Sequence, residues 1–185
     1  MGNLGMSRIH TELLYPITSL ACAVVGGVFD LRDRRIPNLL TLPCILFGIF
    51  LHLFIDGWRG MGTSAAAGLI AGLIFLVFWL AGGMGAGDVK LITAVACIAG
   101  LTNLVWLLIL TALAGGVMAI GLALWRGRLK DTIMNLGALV MHHRFEGLKP
   151  HPQLNVGNAR TLRLPYALAI AAGSALTLCM TVVQR

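Results

Sequence analysis

Seven acidic side chains occur in 185 residues, few enough that each can be weighed for chemistry. Two stand out by their surroundings. Asp30 follows directly on an apolar run, in Val28-Phe29-Asp30-Leu31-Arg32-Asp33-Arg34-Arg35-Ile36-Pro37-Asn38. Asp88 closes the stretch Gly82-Gly83-Met84-Gly85-Ala86-Gly87 and precedes a second apolar run. Ionisable groups at the ends of long apolar segments are costly to place and are functional candidates by default. Two carboxylates held close together do not both ionise easily, so they share a proton. The ionised member can then take a proton from water while the protonated member donates to a carbonyl oxygen, which is acid–base chemistry for hydrolysis. Gly85 and Gly87 suit that chemistry, because residues without side chains let an extended peptide approach the backbone and permit unusual dihedrals. A plainer assignment stays open, in which Asp30 caps a helix end beside Arg34 and Asp88 is the N-cap of the next helix. Asp33, three residues on, competes with Asp30. Glu12, Asp56, Asp131 and Glu146 fall in outer loops or polar sequence and read as solvated.

The elements that must position these groups are set by composition. The chain is 58% hydrophobic and 11% charged, with mean hydropathy +0.87, whereas a soluble domain carries about 25% charge. Its apolar residues form long uninterrupted runs. This excludes a disordered chain, a soluble enzyme and a nucleic-acid-binding domain built on a charged face. It predicts an all-α, polytopic integral membrane protein, a single domain over 1–185. A crossing needs ~20 mostly apolar residues. Six stretches qualify, about 13–29, 39–55, 63–81, 88–100, 104–125 and 164–183, with the apolar run after Asp88 divided near Leu101-Thr102-Asn103. No cleavage site follows the first run, so it reads as a membrane helix rather than a signal peptide. The polar segment 126–163 is expected to hold a short amphipathic helix around Leu129 to Met141, then an irregular stretch through Pro150 and Pro152.

Charge orients the spans. With the first connection and the 126–163 loop in the cytoplasm, Arg32, Arg34, Arg35, Lys90, Arg126, Arg128, Lys130, Arg144, Lys149, Arg160 and Arg163 all lie there. Only Arg8, Arg59 and Arg185 remain outside. A five-span count would separate the two basic groups. The net charge of +7 thus follows from topology and from anionic lipid headgroups, with no nucleic-acid partner. This orientation puts Asp30 and Asp88 on the same, cytoplasmic face.

Other patterns read as structural. Gly82 and Gly87 have P-loop spacing, but Asp88 stands where the lysine must be. His142, His143 and His151 lack a matching carboxylate or Cys pattern, so no metal site and no cofactor are expected. Cys22, Cys44, Cys97 and Cys179 are isolated in apolar sequence and read as buried thiols. Gly68 with Gly72, and Ala112 with Gly116, have small-xxx-small spacing for close helix packing.

Taken together these residues resemble a known family. Gly85-Ala86-Gly87-Asp88 is similar to the GxGD signature of intramembrane-type aspartic proteases. Asp30 with Ile36-Pro37-Asn38 and Thr41 resembles the first catalytic motif of bacterial type IV prepilin peptidases. Leu164-Pro165-Tyr166-Ala167-Leu168-Ala169-Ile170 with Gly173 resembles the last-helix motif of that family. Presenilin-like proteases share GxGD but pair it with a Tyr-Asp motif absent here. The likeness is greatest to small single-domain prepilin peptidases of tight-adherence (Flp-type) pilus systems. It implies removal of a short basic leader from a prepilin at the cytoplasmic face of the bacterial inner membrane. It implies Asp30 and Asp88 as the catalytic pair, with Gly85, Gly87, Pro37 and Asn38 shaping the site, and pilus assembly or secretion machinery as a partner. The spacing of Asp30 to Pro37 fits the family better than that of Asp33. Bifunctional relatives carry an N-terminal insertion with paired Cys motifs. This chain begins almost at the first span and has no CxxC, so no N-methyltransferase activity is expected.

Two readings from other classes stand beside this one. A small transporter could use the carboxylates as a proton or cation relay, but such groups usually lie near the midplane between paired repeats. A catalytically inert assembly factor is the other, and an intact pair of aspartates argues against it. A basic leader should also be repelled by so cationic a face unless anionic lipid screens it or Asp33 and Glu146 receive it.

Overall fold

The computed structural model describes residues 2–127, 129–147 and 166–184. All regular structure among them is helical: α1 (Gly2–Asp33), α2 (Asn38–Leu80), α3 (Ala86–Trp125), α4 (Leu129–Glu146) and α5 (Tyr166–Val183). Leu13–Asp33 of α1 and the whole of α2, α3 and α5 are long and apolar enough to cross a membrane. The Leu164-Pro165 part of the last-helix motif, Arg128, His151, Pro150, Pro152, Lys149, Arg160 and Arg163 lie outside the described residues. The helix expected near 129–141 is present and runs on to Glu146.

Neither long helix is straight. Gly57 has φ 67° and ψ −158°, and Gly100 has φ 76° and ψ 171°, a backbone region that essentially only glycine occupies. Each glycine folds its helix back on itself. Gly48 and Gly68 both close on Cys97, although along an unbroken helix they would stand roughly 30 Å apart. Helix α2 is therefore a hairpin of arms 38–56 and 58–80, both packed on arm 86–99 of α3. Arm 101–125 runs back beside α5, with Gly173 against Thr111 and Gly115 against Ala169.

A fold-back inside apolar surroundings must supply partners for the backbone groups it frees, because lipid offers none. The carbonyls whose helical partners lie beyond Gly100 find side chains instead. Ser64 Oγ donates to Cys97 O at 2.7 Å, and His52 Nε2 stands 3.1 Å from Ile98 O. Asn103 Nδ2 donates to Ala99 O at 2.9 Å. His52 donates here through Nε2, since a carbonyl only accepts, and stands with Nδ1 3.4 Å from Asp56 Oδ2. Its ring stacks on Tyr15 at 4.0 Å, and the Tyr15 hydroxyl donates to Asp56 Oδ2 at 2.6 Å. Asp56 is thus anchored to α1 rather than simply solvated as its loop position suggests. These contacts tie both reversals together at one end of the bundle.

The core mixes many small residues with a few large aliphatic ones, Leu91, Ile92, Ile98, Leu107 and Ile170 among them. Ala23, Ala67, Ala71, Ala94, Ala96 and Ala167 are buried, while Phe54, Trp58, Leu39 and Val117 are exposed. Small side chains where helices meet and large apolar ones on the outer surface suit a lipid-facing bundle, since close packing rather than burial from water holds its helices together. The chain is an all-α, multi-pass membrane bundle. Gly68 and Gly72 serve the expected packing, against Cys97 and Thr93. Ala112 and Gly116 do not: both are exposed, and arm 101–125 instead meets α5 through the adjacent face of Thr111 and Gly115. Cys22 and Cys97 are buried as expected, but Cys44 is half-buried and Cys179 is exposed.

Candidate active site

Asp30 is placed by the buried stripe of α1. Tyr15, Ser19, Cys22, Ala23 and Gly26 recur at helical spacing on the inward face, and Asp30 lies one turn beyond Gly26 on that face. Helix α1 ends just after it. Arg34 turns left-handed with φ 51°, and its N–H donates to Asp30 O at 3.0 Å. Pro37 is the extended N-cap of α2 (φ −70°, ψ 143°), and its carbonyl accepts from Leu40 N at 3.0 Å and Thr41 N at 3.3 Å.

Asp88 is placed by the start of α3. The N-cap is Gly85, and Asp88 occupies the third helical position instead of the cap itself. Its Oδ2 accepts from Gly85 N at 3.2 Å, satisfying one of the N–H groups that every helix start leaves free. Gly85 has an ordinary φ of −80°, so the unusual dihedral expected of it is not needed. Its use is room: a Cβ there would stand 3.2 Å from Asp88 Oδ2. At Gly87 the space is taken by Ile36, whose Cβ lies 3.3 Å from where a side chain would begin.

One contact sets the level of the two acids. Gly26 lets the Leu91 side chain press on the α1 backbone. From this crossing one turn leads along α1 to Asp30 and one turn back along α3 to Asp88. Both carboxylates line a cavity of about 280 Å³, with Arg34, Arg35, Ile36, Gly85, Ala86, Gly87 and Lys90, and their charges interact. Asp88 is 9% exposed, whereas Asp30 is half-buried. Asp33 faces elsewhere. It is exposed and lines a neighbouring cavity of about 440 Å³ with Phe29, Arg35, Ile36, Pro37 and Asn38. Pro37 and Asn38 therefore stand beside that second cavity, across the Ile36 side chain from the carboxylate pair. Asn38 reaches back by accepting from Lys90 Nζ at 2.8 Å.

Two groups at the site have no role that the sequence alone assigns. Lys90 lines the carboxylate cavity, and Tyr166, at the start of α5, lies within electrostatic reach of Asp88. The signal for Tyr166 was its place in the last-helix motif. Lys90 stands only two residues from Asp88, yet nothing in a linear sequence ties it to Asn38. Among the described residues no cluster of His, Cys, Asp or Glu is arranged to hold a metal ion.

The arrangement is that of a multi-pass helical membrane protein with two carboxylates at one end of its bundle. A model of the type IV leader peptidase family matches residues 17–120, and the chain belongs to that family. Both aspartates fall inside the match. Three relatives are named prepilin leader peptidase/N-methyltransferase. That of Burkholderia pseudomallei (strain 1026b) is 33% identical over 119 residues, covering 60% of this chain and 37% of that protein. That of Aeromonas hydrophila is 37% identical over 105 residues, 52% and 36% of the two chains. That of Neisseria gonorrhoeae is 35% identical over 107 residues, 54% and 37%. The chain thus aligns with little more than a third of the length of these relatives. No solved structure matches it.

Proposed function

We propose that this protein is a membrane-embedded aspartic endopeptidase that removes the short basic leader of a prepilin. The observation that carries this reading is the shared cavity of Asp30 and Asp88, within a chain of the type IV leader peptidase family. One carboxylate is ionised and takes a proton from a water held between the two. The protonated partner donates to the carbonyl oxygen of the scissile peptide as the water oxygen attacks its carbon. The tetrahedral intermediate then collapses: one of its hydroxyls returns a proton to the now ionised partner, the C–N bond breaks, and the acid formed in the first step gives its proton to the leaving amine. Asp33 takes no part in this scheme. Gly85 and Gly87 keep side chains away from the carboxylate of Asp88 and from Ile36.

The catalytic end faces the cytoplasm of the bacterial inner membrane. Arg32, Arg34, Arg35 and Lys90 cluster at the end that holds Asp30 and Asp88, and Arg59 lies beside the Gly57 reversal at the other. That asymmetry supports the orientation. In this reading each arm of α2 and α3 crosses the bilayer, with α1 and α5 as the outer members of six spans. Anionic headgroups screen the cationic face as the leader approaches. The scheme assigns hydrolysis, and no methyl transfer, to the residues of this chain.

The test is product analysis. Purified protein in lipid is incubated with peptides joining a short basic leader to an apolar helical segment, and product termini are read by mass spectrometry. The reading expects one cut at the leader boundary, and intact peptide would contradict it. A carboxylate relay for transport is disfavoured by the position of both acids at the bundle end instead of its middle.

A further inference from the structure

The pair Lys90–Asn38 belongs to neither carboxylate, yet it joins the segments that carry them. Asp30 ends α1, and the chain after it passes through Arg34, Arg35, Ile36 and Pro37 before α2 begins at Asn38. Asp88 sits in the first turn of α3. Two contacts cross from the first segment to the second: Ile36 lies on Gly87, and Lys90 Nζ donates to Asn38 Oδ1 at 2.8 Å. Lys90 also lines the cavity of the two acids, so the bond fixes a positive charge at its rim. An unrestrained lysine carries a flexible four-carbon stem whose charge samples much of the surrounding water. Asn38 removes that freedom without neutralising the charge, since a side-chain amide is uncharged.

We propose that Lys90 and Asn38 act together as a positioning clamp: their hydrogen bond sets the spacing of Asp30 and Asp88 and holds a cation beside the pair. The inference rests on the peptidase reading above. A cation near two acids favours their ionised form, so the clamp has an electrostatic effect that a purely structural tie lacks. Lys90→Gln removes the charge and the ammonium donors. Asn38→Ala removes the acceptor and leaves the charge free to move.

The experiment compares wild type, K90Q, N38A, the double variant and K90R for cleavage of a basic-leader peptide across pH, with D30N as reference. Losing one charged hydrogen bond at a solvent-facing site lowers kcat by about tenfold in either single variant. The double variant is no worse than the worse single one, because the two residues act through one bond. In K90Q the acid limb of the pH profile moves to higher pH, and K90R restores it. Unchanged kcat and an unmoved acid limb in K90Q, or fully additive losses, overturn the clamp while D30N remains inactive. Cleavage by D30N instead defeats the peptidase reading itself, so the two failures are distinguishable.

Discussion

Leu91 rests against Gly26, and this contact between α1 and α3 puts Asp30 and Asp88 at one level. A fully buried leucine reaches the opposing backbone only because the facing residue has no side chain. From there one helical turn in each direction arrives at a carboxylate. The level of the pair along the bundle is therefore an outcome of packing in the apolar core, below the site.

It follows that a larger residue at position 26 should impair catalysis without touching either acid. Gly26→Val drives α1 away from α3 at the crossing, and a displacement of ~1 Å at reacting groups costs roughly a hundredfold in rate. Processing should fall by that order while the variant still inserts and folds. Leu91→Ala in the same chain makes room for the added methyls and should recover part of the activity. Leader removal by G26V and G26V/L91A in membranes checks both statements.

The Gly100 reversal carries a stability prediction. Ser64→Ala leaves Cys97 O without its 2.7 Å donor in a buried site, which costs about 1–3 kcal/mol. Gly100→Ala should cost at least as much. Its φ of 76° is strained for any L-residue, and a Cβ would meet the His52 ring at 2.7 Å. Thermal unfolding in detergent should show both variants less stable than wild type, and Ser64→Thr, which keeps the hydroxyl, close to it.

Acidity supplies another check. If the active form holds one proton between Asp30 and Asp88, cleavage must fail at both extremes of pH. As pH rises through the lower apparent value of the pair, one carboxylate ionises and activity appears. Through the higher value the remaining proton is lost, no acid is left to protonate the carbonyl oxygen, and activity declines. The rate should thus trace a bell whose limbs belong to the pair rather than to either residue. A rate flat from acid to alkaline pH would contradict proton sharing.

Much of this site is written in linear sequence, because helix ends and apolar runs are local properties. The placement of Asp30 and Asp88 at helix ends needed only hydropathy and glycine spacing. The apolar run after Asp88 divides near Leu101-Thr102-Asn103 in the sequence, and the reversal falls at Gly100, where a positive φ is available at no steric cost. What stayed hidden depends on pairs distant in sequence. Tyr15 with Asp56, Ser64 with Cys97 and Lys90 with Asn38 meet only after the arms of α2 and α3 fold back. The misjudged face of arm 101–125 has the same origin: small residues occur at 112 and 116 and also at 111 and 115, and only the position of Gly173 selects between them. Asp33 and Asp30 sit three residues apart on one helix, and only Asp30 continues the inward stripe through Gly26 into the cavity it shares with Asp88.

The most direct measurement is leader removal by Asp30→Asn, Asp88→Asn and Asp33→Asn, each inserted in membranes at wild-type level and supplied with the same basic-leader substrate. Asparagine keeps the shape and removes the acid, so the first two variants should leave the precursor uncut while the third processes it at a rate near wild type. Processed product from either D30N or D88N, or its loss in D33N alone, would contradict the account.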